Sequence, residues 1–169
     1  MEELYSDKLW KVVRESAPLP DGGEKQITRL YRPDGVHIIA LTENGKILLL
    51  KEFRPFYGTY IYMLPSGRVD KENDHREGAQ RELREETGFR AEKLEHFCSA
   101  RQSESMEFEN HVYVASGLVN DPLPQDEDER IEVMECSLVD TILLVHGSAK
   151  VHLPSAYALL RYAFERPRI

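Results

Sequence analysis

The chain has little cysteine: Cys98 and Cys136 are its only two, without a CxxC spacing. That excludes a disulfide scaffold, and free thiols in a reducing compartment are the expectation. Long apolar runs are also missing. Stretches such as Ile47–Leu50 and Thr141–Val145 fall far below the ~20 residues a membrane helix needs. Positive charge is in deficit, with 22 Lys and Arg against 30 Asp and Glu and a formal net charge of −8. A general nucleic-acid binder would show a basic face, so that class is excluded. A phosphate substrate is still compatible, because a bound cation and a few arginines reverse the local field. No G-x-S-x-G turn and no Gly-rich P-loop appears, and neither cysteines nor histidines cluster at zinc-ligand spacing. The first residues, MEELYSDKLWKVV, have no signal-peptide core, so a cytoplasmic protein is expected. No repeat, low-complexity tract or linker divides the 169 residues, which suit one domain with a real core.

What is present is a dense acidic segment, GRVDKENDHREGAQRELREETGF, from Gly67 to Phe89. Asp74 suits an N-cap with Glu77 three residues on, and Gly88 suits a left-handed C-terminal residue. The spacing predicts a helix from about His75 to Thr87. Ala79 and Leu83 form its core stripe. Residues three and four apart share a helix face, so Glu82, Glu85 and Glu86 project from one patch. Like charges so placed repel, and a divalent cation relieves them: oxygen donors suit Mg²⁺. The alternative is a solvated, salt-bridged surface helix. Arg81 is placed to brace the carboxylates. Just upstream, LPSGRVD reads as a strand end turning sharply at Gly67.

Around this segment the chain reads as short strands and two later helices. Leu9–Val13 and Gln26–Tyr31 suggest an N-terminal two-stranded ribbon, split by the turn-rich residues 17–23. Val36–Leu41 and Lys46–Phe53 are nearly continuous apolar strands, predicted buried on both faces. Asn44-Gly45 between them is a strong hairpin signal. His37 is read as a packed histidine without a chemical role. Leu94–Ala100, His111–Ala115 and Ile131–Cys136 are further strands, with a polar loop over 101–110. Ser137 caps a helix ending at Gly147. A last helix from about Pro154 to Glu165 carries a stripe of Ala156, Leu159, Leu160, Ala163 and Phe164, expected in the core.

Gly67, Arg81-Glu82, Leu83, Glu85-Glu86, Gly88 and Phe89 fall at the spacings of the Nudix box. The chain therefore resembles the Nudix hydrolase family, most closely the ADP-ribose pyrophosphatase branch. The box expects Glu where this chain has Asn73, with Glu72 one residue earlier. That branch also usually places a proline after the box, and none stands between Pro65 and Pro122.

The resemblance implies an α/β (α+β) fold: an α/β/α sandwich with a mixed sheet and an N-terminal β ribbon, residues 1–32, that builds a homodimer. It implies a Mg²⁺-dependent hydrolase, with Mn²⁺ as the alternative ion, that splits the pyrophosphate of a nucleoside diphosphate linked to another group. ADP-ribose or a nucleotide sugar is the expected substrate. A nucleotide-binding module with little turnover is the alternative. By the same resemblance Glu82, Glu85, Glu86 and the Ser66 carbonyl hold metal, and Glu85 and Glu86 serve catalysis. Arg54 grips a phosphate, and Phe56 is a candidate for stacking on the base. In the acidic stretch PLPQDEDER, counting back from Ile131 places Glu129 as the catalytic base, with Glu127 and Asp128 as competing positions.

Overall fold

The computed structural model describes residues 1–72, 74–125 and 129–165. Three strands open the chain: β1 (Glu2–Ser6), β2 (Lys11–Pro18) and β3 (Glu24–Tyr31). The body follows as β4 (Gly35–Ala40), β5 (Ile47–Arg54), β6 (Thr59–Met63), β7 (Ser66–Arg68), α1 (His75–Thr87), β8 (Phe89–Ala100), β9 (Met106–Glu107), β10 (Asn110–Asn120), β11 (Ile131–Cys136), α2 (Leu138–Gly147) and α3 (Leu153–Glu165). These strands form three sheets, ordered β1-β2-β3-β9, β7-β4-β10-β8 and β11-β5-β6. The second is mixed: β10 runs parallel to β4 and antiparallel to β8.

Strand β4 is buried along its whole length and divides the core by its period of two. Val36, Ile38 and Ala40 join Ala79 and Leu83 of α1 in one cluster. Ile39 points the other way, to Ala156 and Leu159 of α3 and Val145 of α2. The expected layering of helix, sheet and helices follows from that alternation.

The N-terminal ribbon has three strands rather than two, because residues 2–6 pair antiparallel with 11–14. The polar segment 101–110 is not all loop: β9 pairs parallel with β3 through Leu30–Met106 and Tyr31–Glu107. The expected β4–β5 hairpin does not continue as a paired ribbon. A turn does form at Asn44-Gly45, with Gly45 at φ +70°. Pairing stops at one bridge, Leu41–Ile47, and the two strands enter different sheets. In α3 the buried face is Ser155, Ala156, Ala158 and Leu159, while Leu160, Ala163 and Phe164 are exposed. The face is set by Ser155, whose hydroxyl accepts the Leu64 N–H at 3.0 Å and so fixes the helix rotation.

Candidate active site

Helix α1 is closed at both ends by side chains and turns that its sequence provides. Asp74 is extended and accepts the Arg76 N–H. Gly88 takes φ +78° and donates its N–H to the Arg84 carbonyl. Ala79 and Leu83 are fully buried, and this seam turns Glu82 and Glu86 inward, leaving them 8% and 6% exposed. Glu85 stays half-buried on the flank.

Gly67 does not make the sharp turn its sequence context suggested. It lies within β7, opposite Val36, and its φ is not in the left-handed region. Its role is a missing side chain: a Cβ there would overlap the Glu82 carboxylate. Close approach of strand to helix puts Glu82 against backbone and seats Glu86 beneath Ser66, whose N–H donates to it at 2.7 Å.

Arg81 gathers the remaining carboxylates. Its guanidinium pairs with Glu72, with Glu82 at 2.8 Å and with Glu85 at 2.5 Å. It also donates to the Arg68 carbonyl at 3.0 Å. Burial opposes its charge, but the three carboxylates outweigh burial and keep it protonated. Glu72 thus supplies a bracing carboxylate one residue before Asn73, which lies outside the described residues.

One guanidinium shared among three carboxylates leaves the cluster short of positive charge. Burial pushes Glu82 up to about 7 despite Arg81, with Glu85 and Glu129 adding repulsion. Glu86 is raised well above the usual carboxylate range by burial and by Glu82, and the Ser66 N–H only partly counters this. Buried carboxylates with too little counter-charge are a hard-oxygen donor set that suits Mg²⁺ or Mn²⁺.

A cleft of about 750 Å³ opens in front of the cluster. Glu52, Glu82, Glu86 and Glu129 line it together with Arg32, Arg54 and Arg68. Glu52 is 4% exposed; one carboxylate oxygen accepts from Arg54 at 2.6 Å. The other has no hydrogen-bond partner among the described residues. The Phe53 N–H donates to the Arg130 carbonyl at 3.1 Å, which fixes the chain beside Glu129. Glu127 and Asp128 lie outside the described residues. Phe56 is fully exposed at the cleft rim, in the turn after β5.

The fold thus brings Glu129, Arg54, Ser66, Glu82 and Glu86 to one cavity, with Phe56 at its edge and Glu85 beside Arg81. Several lining residues were missed. Glu52 had a signal: it is the acid at the inward period of ILLLKEF, in step with Leu48 and Leu50. Arg32 had none, because its setting is tertiary. Its guanidinium lies 4.3 Å from the Phe108 ring centroid and 5.7 Å from that of Trp10. Burial, then repulsion from Arg68, lowers its pKa. His37, buried, and His152, half-buried, also border the cavity, with ring centroids 5.4 Å apart.

Residues 31–155 match the model of the NUDIX domain. The chain is 33% identical over 161 residues to an ADP-ribose pyrophosphatase of Bacillus subtilis, covering 94% of this chain and 87% of that one. It is 31% identical over 144 residues to a methanol dehydrogenase activator of Bacillus methanolicus, covering 83% and 78%. Among solved structures, an ADP compounds hydrolase superimposes with a TM-score of 0.82 at 22% identity, over 99% of this chain and 94% of that one.

Proposed function

The chain belongs to the NUDIX domain family and is a Nudix hydrolase, and from that premise we propose that it cleaves the pyrophosphate bond of a nucleoside diphosphate joined to a second group, ADP-ribose or a nucleotide sugar. The observation that carries this reading is the pairing of Glu82 and Glu86, buried and under-compensated, with arginines in one cleft large enough for a nucleotide. The Bacillus subtilis relative, similar over nearly the whole chain, supports the choice of ADP-ribose.

Glu82, Glu85 and Glu86 would hold Mg²⁺ or Mn²⁺, with the Ser66 carbonyl as a further donor. Such an ion neutralises phosphate charge and lowers the pKa of its bound water. Arg54, already oriented by Glu52, grips the non-reacting phosphate; a planar guanidinium does this with two parallel hydrogen bonds. Glu129 takes the proton from the attacking water. Arg81, engaged with Glu72, Glu82 and Glu85, positions carboxylates rather than substrate. Phe56 is free to fold over a base. Strands β1–β3 are the proposed dimer element: every residue of β1 is exposed and available to a second copy.

A panel of nucleoside diphosphate derivatives, incubated with Mg²⁺ and separately with chelator, tests the proposal. ADP-ribose should yield AMP and ribose 5-phosphate only with the ion. Tight binding of one compound without turnover of any would mark a nucleotide-binding module instead.

A further inference from the structure

Asp34, His75 and His111 are far apart in the sequence, yet their ligand atoms lie within 4.8 Å of one another. Asp34 directly precedes β4, His75 opens α1, and His111 is the second residue of β10. Both imidazoles aim Nε2 at the same carboxylate oxygen: His75 at 3.1 Å and His111 at 3.2 Å from Asp34 Oδ2. The other oxygen, Oδ1, accepts the Glu109 N–H at 2.7 Å, which fixes the carboxylate. The Ser99 hydroxyl lies 2.8 Å from His111 Nδ1 and orients that ring. From His75 to Glu82 is seven residues of helix, roughly 10 Å, so this group is separate from the acidic cluster.

We propose that Asp34, His75 and His111 form a second cation site, selective for a zinc-class transition ion rather than Mg²⁺. Two imidazoles and one carboxylate are a donor set for zinc and its neighbours. Ligand bonds of about 2.0–2.2 Å at tetrahedral angles put donor atoms roughly 3.3 Å apart, close to the two oxygen–nitrogen distances here. The His75 side chain is 40% exposed and His111 12%, so an ion has a path in and a position open to water. Ser99 suits both states of the site. Its hydroxyl donates to His111 Nδ1 while the ring proton is on Nε2, and accepts from it once an ion takes Nε2. Bound there, the ion ties the start of α1 to β4 and β10 and stiffens the helix that carries Glu82 and Glu86.

Chelator-treated protein is titrated with Zn²⁺ in millimolar Mg²⁺, which competes for the carboxylate cluster, and the stoichiometry and melting temperature are followed. Co²⁺ in place of Zn²⁺ reports nitrogen ligation through its visible absorption. The expected result is one tight equivalent, a raised melting temperature and d–d bands, with affinity at least ~10-fold weaker in His75→Gln and in His111→Gln. Half-exposed His75 tolerates glutamine, and unchanged Mg²⁺-dependent hydrolysis by that variant confirms its fold. Zn²⁺ affinity equal in parent and His75→Gln, or no stoichiometric binding by the parent, overturns the site.

Discussion

At the scale of single residues, charge and space around α1 decide what each group does. Glu86 is buried with one N–H donor and three acidic neighbours, so its charge is costly unless a cation is present. Glu86→Gln keeps the shape and relieves the repulsion. It should retain or slightly raise stability while Mg²⁺-dependent turnover falls beyond the 10–100-fold typical of groups that merely orient a ligand. Activity within a few-fold of the parent would remove this helix from the chemistry. Glu129→Gln should lower kcat by about 100-fold or more with little change in KM, as for loss of a general base; kinetics on the Glu127 and Asp128 variants decide the register. Glu82 and Glu86 were legible because helical spacing places them on one face, whereas Glu85, expected in the same patch, lies on the flank beside Arg81. Glu52 and Arg32 were not: one needed the strand's inward register, the other needed Trp10 and Phe108 brought in from distant segments.

Elements were legible where their ends are local. Helix α1 runs from His75 to Thr87 as its cap residues require, since Asp74 and Gly88 act through backbone groups a few residues away. The β4–β5 hairpin failed for the opposite reason. Turn residues specify a reversal of direction, but continued pairing depends on distant strands, and β10 and β6 hold β4 and β5 more extensively than they hold each other. Gly67 was visible as a glycine but not as the gap that admits Glu82. Gly67→Ala should therefore push Glu82 out of place, raising the Mg²⁺ concentration for half-maximal activity at least several-fold while Glu129 and Arg54 remain. A Mg²⁺ titration of the variant checks this; an unshifted midpoint means β7 moves away at no cost. Arg81→Lys belongs with it: an ammonium cannot serve Glu72, Glu82 and Glu85 together, and the same midpoint should rise.

Across the whole molecule, the layering was legible because β4 and β5 are apolar on both faces, which demands cover on both sides. The same burial predicts how stability responds to acid. His37 and His152 sit between β4 and α3. Burial lowers His37 to about 4, with Arg32 and His111 also opposing its charge, although Asn110 works the other way. Burial, then His37 and Arg54, lowers His152 to about 3. Both folded values lie below the ~6.5 of an unfolded chain. Between about pH 6.5 and 4 the unfolded state therefore binds protons that the native state refuses. Stability is complete above pH 6.5 and declines as the pH falls toward the folded values. Each unit of difference is worth about 1.4 kcal/mol, and allowing for relaxation the loss by pH 4.5 should be on the order of 1–3 kcal/mol. Glu82 and Glu86 act with opposite sign in metal-free protein, since their raised folded values favour proton uptake on folding. The test is therefore a difference: urea unfolding at pH 7.0 and 4.5, with chelator, for the parent and for His37→Asn/His152→Gln. The double variant is less stable at pH 7.0 but should lose less on acidification; an equal loss in both proteins would mean that the two rings are not held neutral by the fold.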